Sequence, residues 1–210
     1  MRQEIVVMLV LAIAVSVSFA DAVDDHSAAR ELFRAKEYAA AEAAFAEIAT
    51  AKSQLYVGHS LYRHRKYAEA LTAFSNTITN YPDGPVNILC VAQTFMGVTL
   101  LAQGKPAEAQ VEFAKVLTDY PTASPVRLAR AHRYIGLSLA QQGLDGSAAF
   151  LAVADYGDTK GLRAGVVTFA PYMTTESFVA YLYKVLQIVP AIEANADFLG
   201  RVRSQINVLE

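Results

Sequence analysis

Few side chains in this sequence could carry chemistry. The histidines are His26, His59, His64 and His132. Imidazole would serve as a metal ligand or a proton carrier. A helical zinc site needs two histidines four positions apart with a glutamate between them, and no pair has that spacing. Gly58-His59-Ser60-Leu61-Tyr62 has a superficial likeness to a nucleophile elbow. An elbow needs a closing glycine and a strand-to-helix turn. The glycine is missing and the segment reads as mid-helix, so Ser60 is an ordinary helical residue. Neither GxGxxG nor GxxxxGK[ST] can be written, which removes the phosphate-cradling loops. Asp24-Asp25 read as solvated, and Asp155 and Asp158 as helix caps near a turn. The single Cys90 excludes an internal disulfide framework and a cysteine-rich zinc module. It lies in Ile88-Leu89-Cys90-Val91 and is expected to be buried and inert, the alternative in an oxidising compartment being a bond between chains. No catalytic residue, metal ligand or cofactor site is assigned, and the chain is expected not to be an enzyme.

Composition points the same way. The chain has 210 residues, 54% hydrophobic and 18% charged, which excludes a disordered class. A formal charge of −2 lacks the basic excess of a general nucleic-acid binder. Alanine supplies 37 of the apolar residues, which favours closely packed helices over a β-sandwich.

Residues 1–20 read as a secretory signal peptide. Arg2 gives a weakly positive start, Ile5 to Val15 is an unbroken apolar run, and Ser18-Phe19-Ala20 fits a small-x-small cleavage site. Cleavage after Ala20 would leave Asp21 as the mature start. The alternative, an uncleaved anchor, meets a run shorter than the roughly 20 residues that span a bilayer. The expected location is periplasmic or secreted, with no stable membrane insertion after cleavage.

The elements that would position any site show a repeat. Gly58, Leu61, Tyr67, Ala70 and Phe74 precede Asn80-Tyr81-Pro82; Gly97, Leu100, Gly104, Ala109 and Phe113 precede Asp119-Tyr120-Pro121. A third copy reads Gly136, Leu139, Gly143, Ala148 and Ala152, and a poorer first copy reads Ala29, Leu32, Tyr38, Ala41 and Phe45. Gly58, Gly97 and Gly136 are spaced by 39 positions. Twelve residues after each first small residue comes a second, at Ala41, Ala70, Ala109 and Ala148. Small residues at both places let two antiparallel helices approach closely. The aromatic four positions on shares the face of the second one. Pro106 suits a helix start, and Pro82 and Pro121 end helices.

This pattern resembles the tetratricopeptide repeat family over about residues 22–160. The family's unit is about 34 residues, so a spacing of 39 places extra residues around Asp83–Asn87 and Thr122–Val126. The resemblance implies an all-α solenoid of about four hairpins (22–50, 51–85, 86–125 and 126–160). The Tyr-Pro endings look like those of bacterial cell-envelope members. It also implies a groove lined by first-helix residues: Arg30 and Arg34 in the first copy, with His26 and Phe33; Lys52, Leu55, His59, Tyr62 and Arg63 in the second; Thr94, Val98 and Leu101 in the third, with Val91 and Ala102; Arg130, Arg133 and Leu137 in the fourth, with Ala140 and Gln141. The asparagine of chaperone-tail-binding relatives is absent, since His59, Val98 and Leu137 stand in its place. No acidic residue falls in these sets. They would suit a peptide with apolar side chains and acidic flanks, or else merely solubilise the face.

Residues 161–210 do not continue the repeat cleanly. Gly161, Gly165 and Pro171 interrupt the stretch. Thr174 or Thr175 with Glu176 marks a helix start. Phe178, Tyr181, Leu182, Val185, Leu186 and Val189 recur at helical spacing, Pro190 ends or bends that helix, and Ile192, Ala196, Leu199, Val202 and Ile206 form a last series. One expectation is a terminal capping hairpin. The other is a dimerisation or docking element presenting Phe178, Tyr181 and Tyr183. The functional expectation is an exported scaffold that binds a protein or peptide partner in the cell envelope. The alternative is a structural subunit of an envelope assembly or division machine, docked through its carboxyl hairpin.

Overall fold

A computed structural model describes residues 25–156, 159–189 and 195–209. The signal segment, Pro190 and Ile192 lie outside the described residues. Two compact units divide at Pro82–Asp83. The N-terminal unit holds α1 (25–34), α2 (Tyr38–Ala46), α3 (Ala51–Arg63) and α4 (Tyr67–Thr79). The C-terminal unit holds α5 (Val86–Ala102), α6 (Pro106–Asp119), α7 (Pro125–Gln141), α8 (Ser147–Ala152), α9 (Thr159–Thr168), α10 (Thr175–Ile188) and α11 (Ala196–Leu209). There is no strand among the described residues, so the all-α expectation holds. No described helix is long and apolar enough to cross a membrane.

The repeat is a set of helical hairpins closed by one turn. Lys36, Arg65, Gly104 and Gly143 each follow a first helix with φ of 67°, 62°, 73° and 72°. Each donates its N–H three residues back, to Phe33, Tyr62, Leu101 and Ala140. The next N–H returns to the carbonyl of Leu32, Leu61, Leu100 or Leu139. This pair of bonds satisfies the end of the helix and requires a left-handed residue between them. Pro106 sits in the first turn of α6, and α4 and α6 end before Pro82 and Pro121. The extra residues of the 39-position spacing go partly into one more turn of helix, since α5 and α7 have 17 residues and α3 has 13.

Small residues do bring the helices together, and an aromatic ring fills the seat. A Cβ built on Gly58 would lie 2.5 Å from the Phe74 ring, and one on Gly97 would lie 2.5 Å from Phe113. Ala29, Ala41, Phe45, Ala70, Phe74, Ala109 and Phe113 are fully buried. The rings also reach the next hairpin: Phe45 stacks on Tyr56 at 4.7 Å and Phe113 on Tyr134 at 4.9 Å.

In the fourth hairpin the expected residues are wrong by two positions. Ala148 is exposed and Ala152 is no aromatic seat. Gly146 and Phe150 take those places: a Gly146 Cβ would meet the Gly136 carbonyl oxygen at 2.5 Å, and Phe150 covers Gly136 at 2.8 Å. The cause is a start to α8 four residues after the left-handed Gly143, where α4 and α6 start two after theirs. The ring therefore arises one turn into the helix instead of two. Asp145 accepts from the Ser147 N–H at 2.8 Å at this start.

The carboxyl third also departs from expectation. Gly165 does not interrupt a helix but lies inside α9, where a Cβ would meet the Tyr181 Oη at 2.1 Å and Phe169 at 2.6 Å. Gly165, Ser177 and Tyr181 repeat the spacing of Gly58, Ala70 and Phe74, so α9 and α10 form a fifth, divergent hairpin. Tyr181 Oη donates to the Leu162 carbonyl at 2.8 Å, which satisfies its buried hydroxyl. Thr174 caps α10 through the Ser177 N–H at 3.2 Å, as the sequence led one to expect. One core joins Phe150, Val153, Phe169, Phe178, Tyr181 and Val185 to Phe198, Val202 and Ile206 of α11.

These seats yield opposite signs for chemically similar changes. Gly97→Ala should destabilise the protein, because about 2 kcal/mol of overpacking outweighs the roughly 1 kcal/mol gained in helix propensity. At the turns, Gly104→Ala should lower stability by about 1 kcal/mol and Arg65→Gly should raise it by roughly 0.5–1 kcal/mol. Denaturant unfolding monitored by circular dichroism reads all three.

Candidate functional site

The first helices of the hairpins carry an unbalanced charge. Helices α3, α7 and α9 contain Lys52, Arg63, Arg127, Arg130, Arg133 and Arg163, and neither they nor α5 contain an Asp or Glu. α1 holds Asp25 and Glu31, and the other hairpin helices with acidic residues are second helices, where lysines meet them: Lys66 with Glu42 and Glu69 at 3.6 Å, Lys105 with Glu108 at 3.5 Å, and Lys115 with Glu112 at 2.9 Å.

In the N-terminal unit, Lys52, Tyr56, His59 and Arg63 follow one face of α3 at helical spacing. Lys52, Arg34 and Arg63 are exposed, Arg30, His59 and Tyr62 half-buried, and Leu55 is buried in the core. Arg34 is bound to Glu31 on its own helix. His26 lies edge-on to Phe45 at 5.3 Å and to Tyr56 at 5.5 Å. Its Nε2 is buried without a hydrogen-bond partner. Burial lowers its pKa first, and the positive charges of Lys52 and then Arg30 lower it further. Those two cations stand on consecutive first helices. His59 packs edge-on against Phe74 at 5.4 Å, and burial, helped by Arg63, pushes it down to about 4.

In the C-terminal unit the groove expectation divides. Thr94 is buried, donating to the Cys90 carbonyl at 2.7 Å, so it faces the core. Val98 and Leu101 are half-buried on α5, and Arg130 is exposed. Arg133 and Leu137 open into a cleft of about 450 Å³ whose far side is Val167, Phe169, Pro171 and Tyr172. The Arg133 Nε is buried without a partner, and its guanidinium lies 5.2 Å from the Tyr134 ring centre. Sequence spacing did not include the 167–172 wall; the Gly165–Ser177–Tyr181 spacing is the signal that places it beside α7.

The docking aromatics fare differently. Phe178 and Tyr181 are buried in the core, so neither forms a surface, while Tyr183 is 45% exposed. Cys90 is free and buried, and burial raises its thiol pKa, as expected of an inert cysteine. His132 Nε2 pairs with the Tyr156 hydroxyl at 3.2 Å, and His64 is exposed. No cluster of three His, Cys, Asp or Glu side chains that could hold a metal occurs among the described residues.

The hairpins, their left-handed turns and their small-residue seats define a helical-repeat protein. Residues 52–84 match the family model described as tetratricopeptide repeat, which bears out the resemblance at the second hairpin. No curated protein matches the chain in sequence. Among solved structures it is similar to the TPR2AB domain of yeast Sti1 in complex with pHSP90, at 8% identity and a TM-score of 0.46, covering 90% of this chain and 99% of that one. A putative kinesin light chain with nearly identical TPR-like repeats, from Podospora anserina, has 12% identity and a TM-score of 0.49 over 89% and 93%. The C-terminal part of a TPR repeat-containing protein of Cytophaga hutchinsonii has 13% identity and a TM-score of 0.30 over 85% and 87%.

The lowered histidines set a pH dependence. Between the ordinary imidazole value and about 4, the unfolded chain holds a proton that the folded His59 refuses. The unfolded state then binds more protons, so stability falls as pH falls through this window. A loss of about 3 kcal/mol by pH 4 is expected from His59, with His26 and His132 adding in the same direction. His59→Leu, copying Leu137 at the equivalent position, should flatten the slope of denaturation midpoint against pH.

Proposed function

We propose that this chain is an exported, non-enzymatic scaffold that binds a protein segment along the first-helix faces of its hairpins. The observation that carries this reading is the acid-free face of α3, where exposed Lys52 and Arg63 lie in line with half-buried Tyr56 and His59. An acidic segment laid on that face would meet two cations. The acid-free α3, α5, α7 and α9 extend the same preference within each unit. A preformed helical face loses little entropy on binding. The signal-like residues 1–20 support a periplasmic or secreted setting, where the partner would be an envelope protein. The alternative, a machine subunit docked by its carboxyl hairpin, loses its main support, because Phe178 and Tyr181 are spent in the core.

A photo-crosslinking residue at Tyr62 should capture discrete partners in intact cells, and one at Val111, exposed on a second helix, should not. Arg30→Glu with Lys52→Glu should abolish the Tyr62 adducts. Adducts that persist in this double variant, or that form equally from Val111, would refute the groove. For the location, intact mass of the protein from fractionated cells should correspond to a chain starting at Asp21; a retained residue 1–20 segment in the cytosolic fraction would refute export.

A further inference from the structure

A second cleft, of about 510 Å³, lies between α9 and α11. Its floor is apolar, from Val166, Phe198 and Val202, and its polar rim is Arg163, Arg201 and Gln205. No acidic residue lines it among the described residues; Asp197, one turn before Arg201 on α11, is not part of its wall. Arg163 is held in place, its guanidinium 4.6 Å from the Phe198 ring centre and donating to Asn195 Oδ1 at 2.9 Å. Neither contact neutralises its charge. Neither Arg163 nor Arg201 is ion-paired among the described residues. Val167 forms the ridge between this cleft and the one containing Arg133, and it is 80% exposed. So large an exposure for a valine beside an apolar floor is what a covered surface would explain.

We propose that the α9–α11 cleft is a docking site for an acidic protein segment that carries an apolar side chain. The apolar side chain would rest against Val167 at the edge of Phe198, and flanking carboxylates would meet Arg163 and Arg201. Arginine suits this role because its planar fork grips a carboxylate through two parallel hydrogen bonds. The cleft is open to solvent, which fits a segment laid across it and not an enclosed small molecule. The site rests on the first-helix reading above, since it shares α9 with it, but its cations, Arg163 and Arg201, are not Arg30 or Lys52.

The test is fluorescence anisotropy with the full chain and a fluorescein-labelled decapeptide in which glutamate alternates with leucine and phenylalanine. A twin with lysine for glutamate and vesicles of anionic phospholipid are the comparison probes. Saturable binding of the acidic peptide is expected, weakened about tenfold or more by Arg201→Glu and by Val167→Asp and for the lysine twin. Both substituted residues are exposed, and circular dichroism would verify folding. Arg30→Glu with Lys52→Glu should leave this binding unchanged. Absence of saturable binding, equal binding of the lysine twin, or binding unaffected by Arg201→Glu overturns the proposal. Binding to vesicles but not to the acidic peptide overturns it in favour of a lipid surface. Loss only in the Arg30/Lys52 variant overturns it while supporting the groove.

Discussion

An aromatic ring seated on a glycine of its own hairpin is the contact on which the remaining structure depends. Gly58 with Phe74, Gly97 with Phe113, Gly136 with Phe150 and Gly165 with Tyr181 each leave no room for a Cβ. The close approach matters because dispersion falls steeply with separation, so an aromatic side chain close against backbone gathers many contacts that a spaced pair would forfeit. The same ring is then available to the neighbouring hairpin. Phe45 on Tyr56, Phe113 on Tyr134 and Phe150 on Phe169 are such hand-overs. One side chain thus fixes the spacing within a hairpin and the stacking between two.

The seat also constrains the turn. If ring and glycine are to meet, the second helix must leave the first at a set angle and phase. The left-handed residue seven positions after the small residue provides that, at Lys36, Arg65, Gly104 and Gly143. Two of the four accept a strained side-chain-bearing residue there, which indicates that the geometry outweighs a local penalty of about 1 kcal/mol. Where the turn lengthens, in the fourth hairpin, the seat survives by recruiting Gly146 and Phe150 in place of Ala148 and Ala152. The packing requirement is therefore stronger than the sequence register that usually delivers it.

That ordering explains what could be seen in the sequence. The hairpins of the first three copies were legible because small residue, turn and aromatic keep constant spacing. The fourth was legible only in part, because a two-residue shift in α8 is invisible until Phe150 is seen covering Gly136. Gly165 reads as a helix breaker by propensity, and only the presence of Tyr181 over it reverses that meaning. Phe178 and Tyr181 suggested surplus apolar surface because their core partners on α9 and α11 could not be foreseen. For the candidate site, the basic character of the first helices was legible. The burial of Leu55 and Thr94 was not, since family positions say which way a residue faces and not how close its neighbour stands.

Charge placement follows from the same architecture and gives the surface its direction. Second helices carry both signs, and lysine–glutamate contacts spend much of that charge locally; exposed pairs of this kind add little stability. First helices from α3 to α9 carry only cations, and arginine is their main one. A chain with formal charge −2 thereby presents positive first-helix surfaces within each unit without being a basic protein. Such segregation has little effect on folding but a large one on association, since it orients an approaching anionic segment and repels a cationic one. It also separates recognition from stability. The rings and glycines that hold the hairpins lie in the core, so the arginines at the surface can be exchanged without disturbing them. Two cation groups, one on α1 and α3 and one between α9 and α11, can therefore be tested by charge reversal as recognition elements, with the fold as an internal control.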